Sequence, residues 1–240
     1  MILAEIITIG DELLIGQVID TNSAWMGQRL NEIGIKVKQI TSISDDKSHI
    51  LETLAEAKKR ADIILITGGL GPTKDDITKK TLCEYFNTEL IFHEPSFEII
   101  SEIFQSRGRT ITDTNRQQAF VPANCTVLLN KNGTAPGMWF EDEKAVYVSM
   151  PGVPNEMKYL MDAEVLPRLK EKNNLAPIVH KTILTQGIGE SFLSDLIEQW
   201  ELALPSNMKL AYLPTGGMVR LRITATGQNE ELLRKEVDSR

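Results

Sequence analysis

The chain has 240 residues, 42% hydrophobic and 25% charged, an ordinary balance for a globular protein long enough for one large or two modest domains. Its formal net charge of −7 disfavours a broad interface with nucleic acid or anionic membrane, but leaves room for a small anionic ligand held by local donors. No apolar stretch approaches the length of a membrane span, the first residues lack the features of a signal peptide, and Cys83 and Cys125 have no metal-type spacing, so a cytoplasmic setting with two inert thiols is expected.

Strand and helix patterns alternate from the start. Ala4 to Ile9 reads as a strand interrupted by Glu5, Thr21 to Ile33 as a helix, Ile35 to Ile43 as a strand, and Lys47 to Arg60 as a helix with Ile50, Leu54, Ala57 and Ala61 on one face. The continuously apolar run Ile63 to Ile66 predicts a parallel strand covered on both faces. Beyond it Thr78, Thr81, Leu82, Tyr85 and Phe86 recur at helical spacing, with Asp75 and Asp76 placed to cap the first turn. Helical stretches follow near Ser96 to Ser106 and Thr114 to Ala119, then strands at Thr126 to Leu129, Met138 to Phe140 and Ala145 to Ser149, and a helix from Asn155 to Leu169. Such alternation predicts a mostly parallel, three-layer α/β/α domain over residues 1–172, with ligands beyond the carboxyl ends of the strands.

Lys170 to Pro177 is polar and ends in proline, as a linker would. Residues 173–240 then show a strand from Ile178 to Thr185, a helix from Glu190 to Leu204, strands near Lys209 to Leu213 and Met218 to Thr226, and a helix starting at Asn229. This order suggests a small α+β domain that is marginal alone, with its last helix cut short.

Four segments fall at predicted strand ends. The first, Gly10-Asp11-Glu12-Leu13, continues to Asp20, Thr21 and Asn22, which precede a helix and could cap it or meet a ligand. In the second, Thr67-Gly68-Gly69-Leu70-Gly71-Pro72-Thr73, the glycines allow close backbone approach, and Asp75 and Asp76 follow at the mouth. Paired acids suit a loop that holds a diphosphate through a divalent cation, although caps of the following helix would account for them as well. The third, Gly133-Thr134-Ala135-Pro136-Gly137, is a rigid turn of small residues, and the fourth, Pro151-Gly152-Val153-Pro154 with Glu156, passes from strand to helix and offers an N-terminus to an anion.

Together these residues resemble the molybdopterin-binding fold family, and more closely its CinA branch, the competence/damage-inducible proteins. Thr67, Gly68, Gly69, Asp76 and Thr78 match the Thr-Gly-Gly turn of the MoaB and MogA type, while Gly10 to Leu13 with Asp20 to Asn22 are similar to the start of the MoeA type. The Gly-Leu-Gly-Pro-Thr turn, the Gly-Thr-Ala-Pro-Gly loop and the Pro-Gly-Val-Pro turn look like CinA specifically. So does the stretch Asn115 to Ala119, in which Arg116 would fork onto a phosphate.

The resemblance implies a MoaB/MogA-like domain followed by a KH-like domain, without the C-terminal nicotinamide mononucleotide deamidase domain that full-length relatives often add. It further implies hydrolysis of ADP-ribose to AMP and ribose 5-phosphate, assisted by a divalent ion (Mg, Mn, Co or Ni) and potassium, in a homodimer. Asp76 with Asp11 or Asp75 would hold the metal, Glu12 and Glu156 are candidate bases, and backbone N–H groups of Gly68 to Gly71 and of Gly152 would cradle phosphate oxygens. Thr73 and the third turn would complete the substrate site. The alternatives are a pterin-binding or cofactor-adenylating protein and a non-catalytic interaction protein on the same fold. Because residues 178–240 lack the Gly-x-x-Gly spacing of nucleic-acid-binding KH modules, a structural rather than RNA-binding role is expected there.

Overall fold

The computed structural model of the chain describes residues 2–173, 175 and 177–240. These fall into two compact units, the larger spanning 2–30 and 35–173 and the smaller 31–34, 175 and 177–240.

The larger unit begins with β1 (Leu3–Ile9), a short α1 (Asp11–Leu14), α2 (Thr21–Glu32), β2 (Lys36–Ile43), α3 (Lys47–Ala57), β3 (Ile63–Thr67) and α4 (Thr78–Tyr85). It continues with β4 (Leu90–Phe92), α5 (Glu94–Ser106), α6 (Asp113–Gln117), β5 (Phe120–Pro122), β6 (Thr126–Leu128), β7 (Gly137–Glu141), β8 (Val146–Met150) and α7 (Pro154–Leu160). A π-helical turn (Met161–Val165) then leads into α8 (Leu166–Asn173). The main sheet runs β2-β1-β3-β8-β7-β6. Its β2, β1, β3 and β8 are parallel neighbours, and β7 and β6 close it antiparallel.

Burial follows the apolar pattern. Every residue of β3 and β8 is buried, and Ile7, Ile9, Ile64 and Ile66 pack with Ile50 and Leu54 of α3 and Leu82 of α4. Phe86 stacks on Phe140 at 4.1 Å between ring centroids, and Tyr147 fills the space beside them. Glu5, which breaks the apolar run of β1, is fully buried because Arg60 grips both its carboxylate oxygens at 2.7 Å and Thr41 donates to one of them. A buried carboxylate persists only when so matched.

Two expectations are corrected here. The linker expected from Lys170 is helical to Asn173, because α8 keeps burying Leu166 and Leu169 while Lys170 and Lys172 sit at its carboxyl end; of the remainder, positions 174 and 176 lie outside the described residues. Strands β4 and β5, three residues each, pair antiparallel where the sequence offers only loop, since so short a ladder shows no period.

The smaller unit contains β9 (Ile178–Gln186), α9 (Glu190–Leu202), β10 (Met208–Thr215), β11 (Met218–Thr226) and α10 (Glu230–Asp238). Its antiparallel sheet runs β10-β11-β9, and Val179, Met208, Ile223, Leu233 and Val237 form its core. Asn229 caps α10 by accepting from the Leu232 amide at 3.0 Å. Among the described residues no helix is long and apolar enough to cross a membrane.

Candidate functional site

Parallel strands β1, β3 and β8 end side by side, which carries the first, second and fourth strand-end segments to one edge. There the chain turns twice on glycine. Gly68 has φ +116°, and a Cβ built on it would lie 2.1 Å from the Ile9 carbonyl oxygen, so no other residue fits. The Gly152 turn lies beside it, its own added Cβ standing 3.4 Å from Gly68 Cα, an ordinary van der Waals contact. Asn22 fastens the two turns: its Nδ2 donates to the Gly152 carbonyl at 2.8 Å and to Thr67 Oγ1 at 3.3 Å, while Thr67 Oγ1 donates to the Pro151 carbonyl at 2.8 Å. Asn22 Oδ1 is left buried without a partner among the described residues, beside a small cleft that Glu12, Asp20, Thr21 and Gly152 also line. An orphaned buried acceptor at a cleft is a place where a ligand donor is worth more than its usual share.

The backbone donors are partly spent. Gly68 N–H donates to Met150 at 3.1 Å and Gly71 N–H to Asp76 Oδ1 at 2.8 Å, whereas the amides of Gly69, Leu70 and Gly152 have no protein acceptor among the described residues. The cradle expected over Gly68 to Gly71 is therefore narrower than the sequence implied.

Asp76 caps no helix. The residue before α4 is Ile77, which makes no side-chain cap, and the Asp76 carboxylate bends back to accept from the amides of Gly71 and Thr73 (2.8 and 2.9 Å) and from the Thr73 hydroxyl. It clasps the Gly-rich loop shut. Asp20 is a helix cap, taking the Ser23 amide at 2.9 Å and the Ser23 hydroxyl.

Asp45 was not anticipated, although it follows the end of β2 and so satisfies the same strand-end rule as the other segments. It accepts from the Asp11 amide at 3.1 Å. Burial pushes its carboxyl above the ordinary aspartate value, and repulsion from Glu12, Asp11 and Asp75 adds to the rise. Four acids thus gather near the Gly-rich loop. Among the described residues no three His, Cys, Asp or Glu side chains are grouped closely enough to hold a metal by themselves.

Two candidate residues stand elsewhere. Arg116 lies over the Phe92 and Phe97 rings at 5.0 and 5.3 Å from their centroids, so one face of its guanidinium is stacked on aromatic rings. Glu156, a candidate base, is tucked under the third turn: a Cβ on Gly133 would fall 2.0 Å from its Cδ. Asn130 donates to Glu156 Oε2 at 2.6 Å and to the Ala135 carbonyl at 2.9 Å. Gly133, Thr134 and Pro136 accordingly face Ser96, Ile99 and Asn130, while Ala135 and Gly137 are buried.

Burial raises the Glu156 carboxyl above the ordinary glutamate value of 4.5, against the hydrogen bonds from Asn130 and the Ala135 backbone. A carboxyl that holds its proton more tightly when folded favours the native state in acid and loses that contribution as pH rises from the unfolded to the folded pKa. The Glu156→Gln variant is therefore expected to lose a decline in stability that the parent shows upward from pH 4.5, read as urea midpoints across the weakly acid range. A parental slope left intact in the variant would show that another group causes it.

Comparison with known proteins places these features in a family. The family model described as a probable molybdopterin binding domain matches residues 5–171, and that of the damage-inducible protein CinA KH domain matches residues 180–239. A CinA-like protein of Flavobacterium psychrophilum is 54% identical over 98% of this chain, and one of Cytophaga hutchinsonii is 49% identical over the same share. The chain covers 56% of the length of each, so it spans about half of these relatives. Among solved structures, the CinA protein of unknown function from Thermoplasma acidophilum is 30% identical with a TM-score of 0.62, over 71% of this chain and 96% of that one. The chain belongs to the CinA family, with a molybdopterin-binding-type domain of three-layer α/β/α architecture followed by a KH-like domain.

Proposed function

We propose that the larger unit hydrolyses the diphosphate of ADP-ribose, giving AMP and ribose 5-phosphate. The observation that carries this reading is the pair of neighbouring glycine turns at Gly68 and Gly152, where the amides of Gly69, Leu70 and Gly152 have no protein acceptor among the described residues and Asp45 stands near Glu12, Asp11 and Asp75. Amides at Gly69, Leu70 and Gly152 donate to phosphate oxygens and hold the charge that grows on them during displacement. Asn22 fixes the spacing of the two turns, and its free Oδ1 accepts from a bound hydroxyl or water. Asp45 with Asp11, from whose amide it accepts, would hold a divalent cation through one or two carboxylates; when bound, it would neutralise the diphosphate and polarise water. Glu12, exposed and lining the cleft, is the carboxylate free to take a proton from that water. Potassium as a second cation and a homodimer belong to the same reading; the exposed Leu14, Ile15, Val18 and Ile19 beside the cleft support the latter.

Incubation of the purified chain with ADP-ribose and a divalent metal, followed by assay of AMP, tests the proposal. Metal-dependent AMP is the expected result; its absence with every metal overturns the reading. The description of the matching family as molybdopterin binding supports a second reading, in which a pterin binds tightly and ADP-ribose is left intact.

A further inference from the structure

Helix α9 of the smaller unit buries Leu193 and packs Ile197 against the cluster that Leu193 forms with Val219 and Leu221 of β11. Its solvent face carries large apolar residues too. Phe192, Leu196 and Leu202 are 72, 73 and 73% exposed on a helix of 13 residues. Phe192 and Leu196 stand one turn apart in line, and a Cβ added to Gly189 would come within 3.7 Å of the Phe192 ring. Gly189 also lines an open groove of about 420 Å³ between the β9–α9 turn and the β10–β11 hairpin, walled by the apolar Ile188, Pro214 and Met218. Single exposed apolar residues are common, whereas a group of them beside a groove marks a surface that meets a partner.

The charge on the same helix identifies the chemistry of that partner. α9 holds Glu190, Asp195, Glu198 and Glu201 and no basic residue. Asp195, Glu198 and Glu201 follow at i, i+3 spacing, so like charges are surface neighbours, and the last two approach the carboxyl end, where the helix dipole disfavours an anion. The acids of α10 are paired along their own helix, Glu230 with Arg234 and Glu231 with Lys235. Those of α9 are not: Glu201 accepts from the Tyr212 hydroxyl at 2.6 Å, and none of the four forms an ion pair among the described residues. Arg220, on the hairpin, donates to Thr215 and by strand alternation stands on the sheet face opposite to Val219 and Leu221. Cations supplied from outside the chain relieve this pattern. We propose that α9 is a docking surface for a cationic amphipathic helix of another protein, its apolar side chains over Phe192 and Leu196 and its Lys or Arg residues against Asp195, Glu198 and Glu201. A second copy would set acid against acid, and an anionic membrane would do the same. Docking here requires nothing of the hydrolase site.

Fluorescence anisotropy of a labelled amphipathic peptide of leucine and lysine, titrated with the whole chain, tests this against a leucine and glutamate peptide of the same pattern. The parent is expected to bind the lysine peptide about tenfold or more tightly than the glutamate one, with affinity falling as salt rises. Leu196→Ser should weaken that binding about tenfold or more. Glu198→Lys should weaken it as much while raising the thermal midpoint, because it relieves repulsion from Asp195 and Glu201. Glu98→Gln combined with Glu102→Gln, which neutralises exposed acids of α5, should leave affinity unchanged and so separates docking on α9 from attraction to net negative charge. Equal binding of the two peptides, parental binding by Leu196→Ser, or a loss in the α5 pair as large as in Glu198→Lys overturns the proposal. So does a fall in thermal midpoint for both Leu196→Ser and Glu198→Lys, which would give these side chains a role in the fold itself. Dimerisation of the parent through α9, or binding to vesicles in place of the peptide, would give the face to a different occupant and likewise overturns it.

Discussion

Replacement of Gly68 by alanine is expected to cost about 3 kcal/mol or more of folding stability and to abolish the site. The backbone there, at φ +116°, is one that side-chain-bearing residues rarely adopt, and such strain costs roughly 1–3 kcal/mol. The added Cβ would also stand 2.1 Å from the Ile9 carbonyl oxygen, which is rigid backbone at the end of a buried strand. Relief requires β1 and β3 to part, and overpacking of that kind adds roughly 1–3 kcal/mol. Gly16 provides the control: at φ +73° it shares the positive dihedral, but nothing lies within 4 Å of its Cβ position. Gly16→Ala should cost only about 1–2 kcal/mol. Urea denaturation of both variants separates dihedral strain from collision. Equal losses in the two would show that the close packing of Gly68 on Ile9 has no energetic weight.

The difference between what was legible in the sequence and what was not follows from how each feature is encoded. The parallel core was legible because Ile63 to Ile66 must be apolar on both faces, a demand written in consecutive residues, and Ala4 to Ile9 follows it except at Glu5 and Thr8. The Gly-rich turn was legible because a positive φ at Gly68 and Gly69 selects glycine locally. Side-chain partners are chosen by the fold instead. Asp76 lies two residues before α4 and reads as a cap, yet five residues back the Gly71 amide is the closer orphan donor and wins it. Arg116 reads as a phosphate fork, and the β4–β5 pair, too short to announce itself, sets Phe92 against its guanidinium as a contact the sequence does not show. Asp45 and Lys79 carry no motif of their own. Only the alignment of strand ends brings Asp45 near Asp11, and only the return of the chain through α6 sets Gln118 against Lys79.

Asp76→Asn is expected to lower hydrolysis of ADP-ribose about a hundredfold, near 2.7 kcal/mol of barrier, with global stability changed by about 1 kcal/mol. Both carboxylate oxygens accept: Oδ1 from the Gly71 amide, and Oδ2 from the Thr73 amide and hydroxyl. An asparagine keeps one acceptor and turns an NH2 group toward a backbone N–H, so donor faces donor and the loop opens. Gly71 and Thr73 are exposed, and water takes up the freed amides, so the fold survives while the shape of the phosphate cradle does not. Excess divalent metal should leave this defect in place. By contrast Asp45→Asn, which removes a charge from the group with Asp11, Glu12 and Asp75, should lose affinity for the cation and recover part of its rate when metal is raised. Metal titrations of AMP formation for the two variants decide between clasp and ligand. Rescue of Asp76→Asn by metal would make that carboxylate a metal ligand after all, and parental turnover in Asp76→Asn would remove it from the site's function altogether.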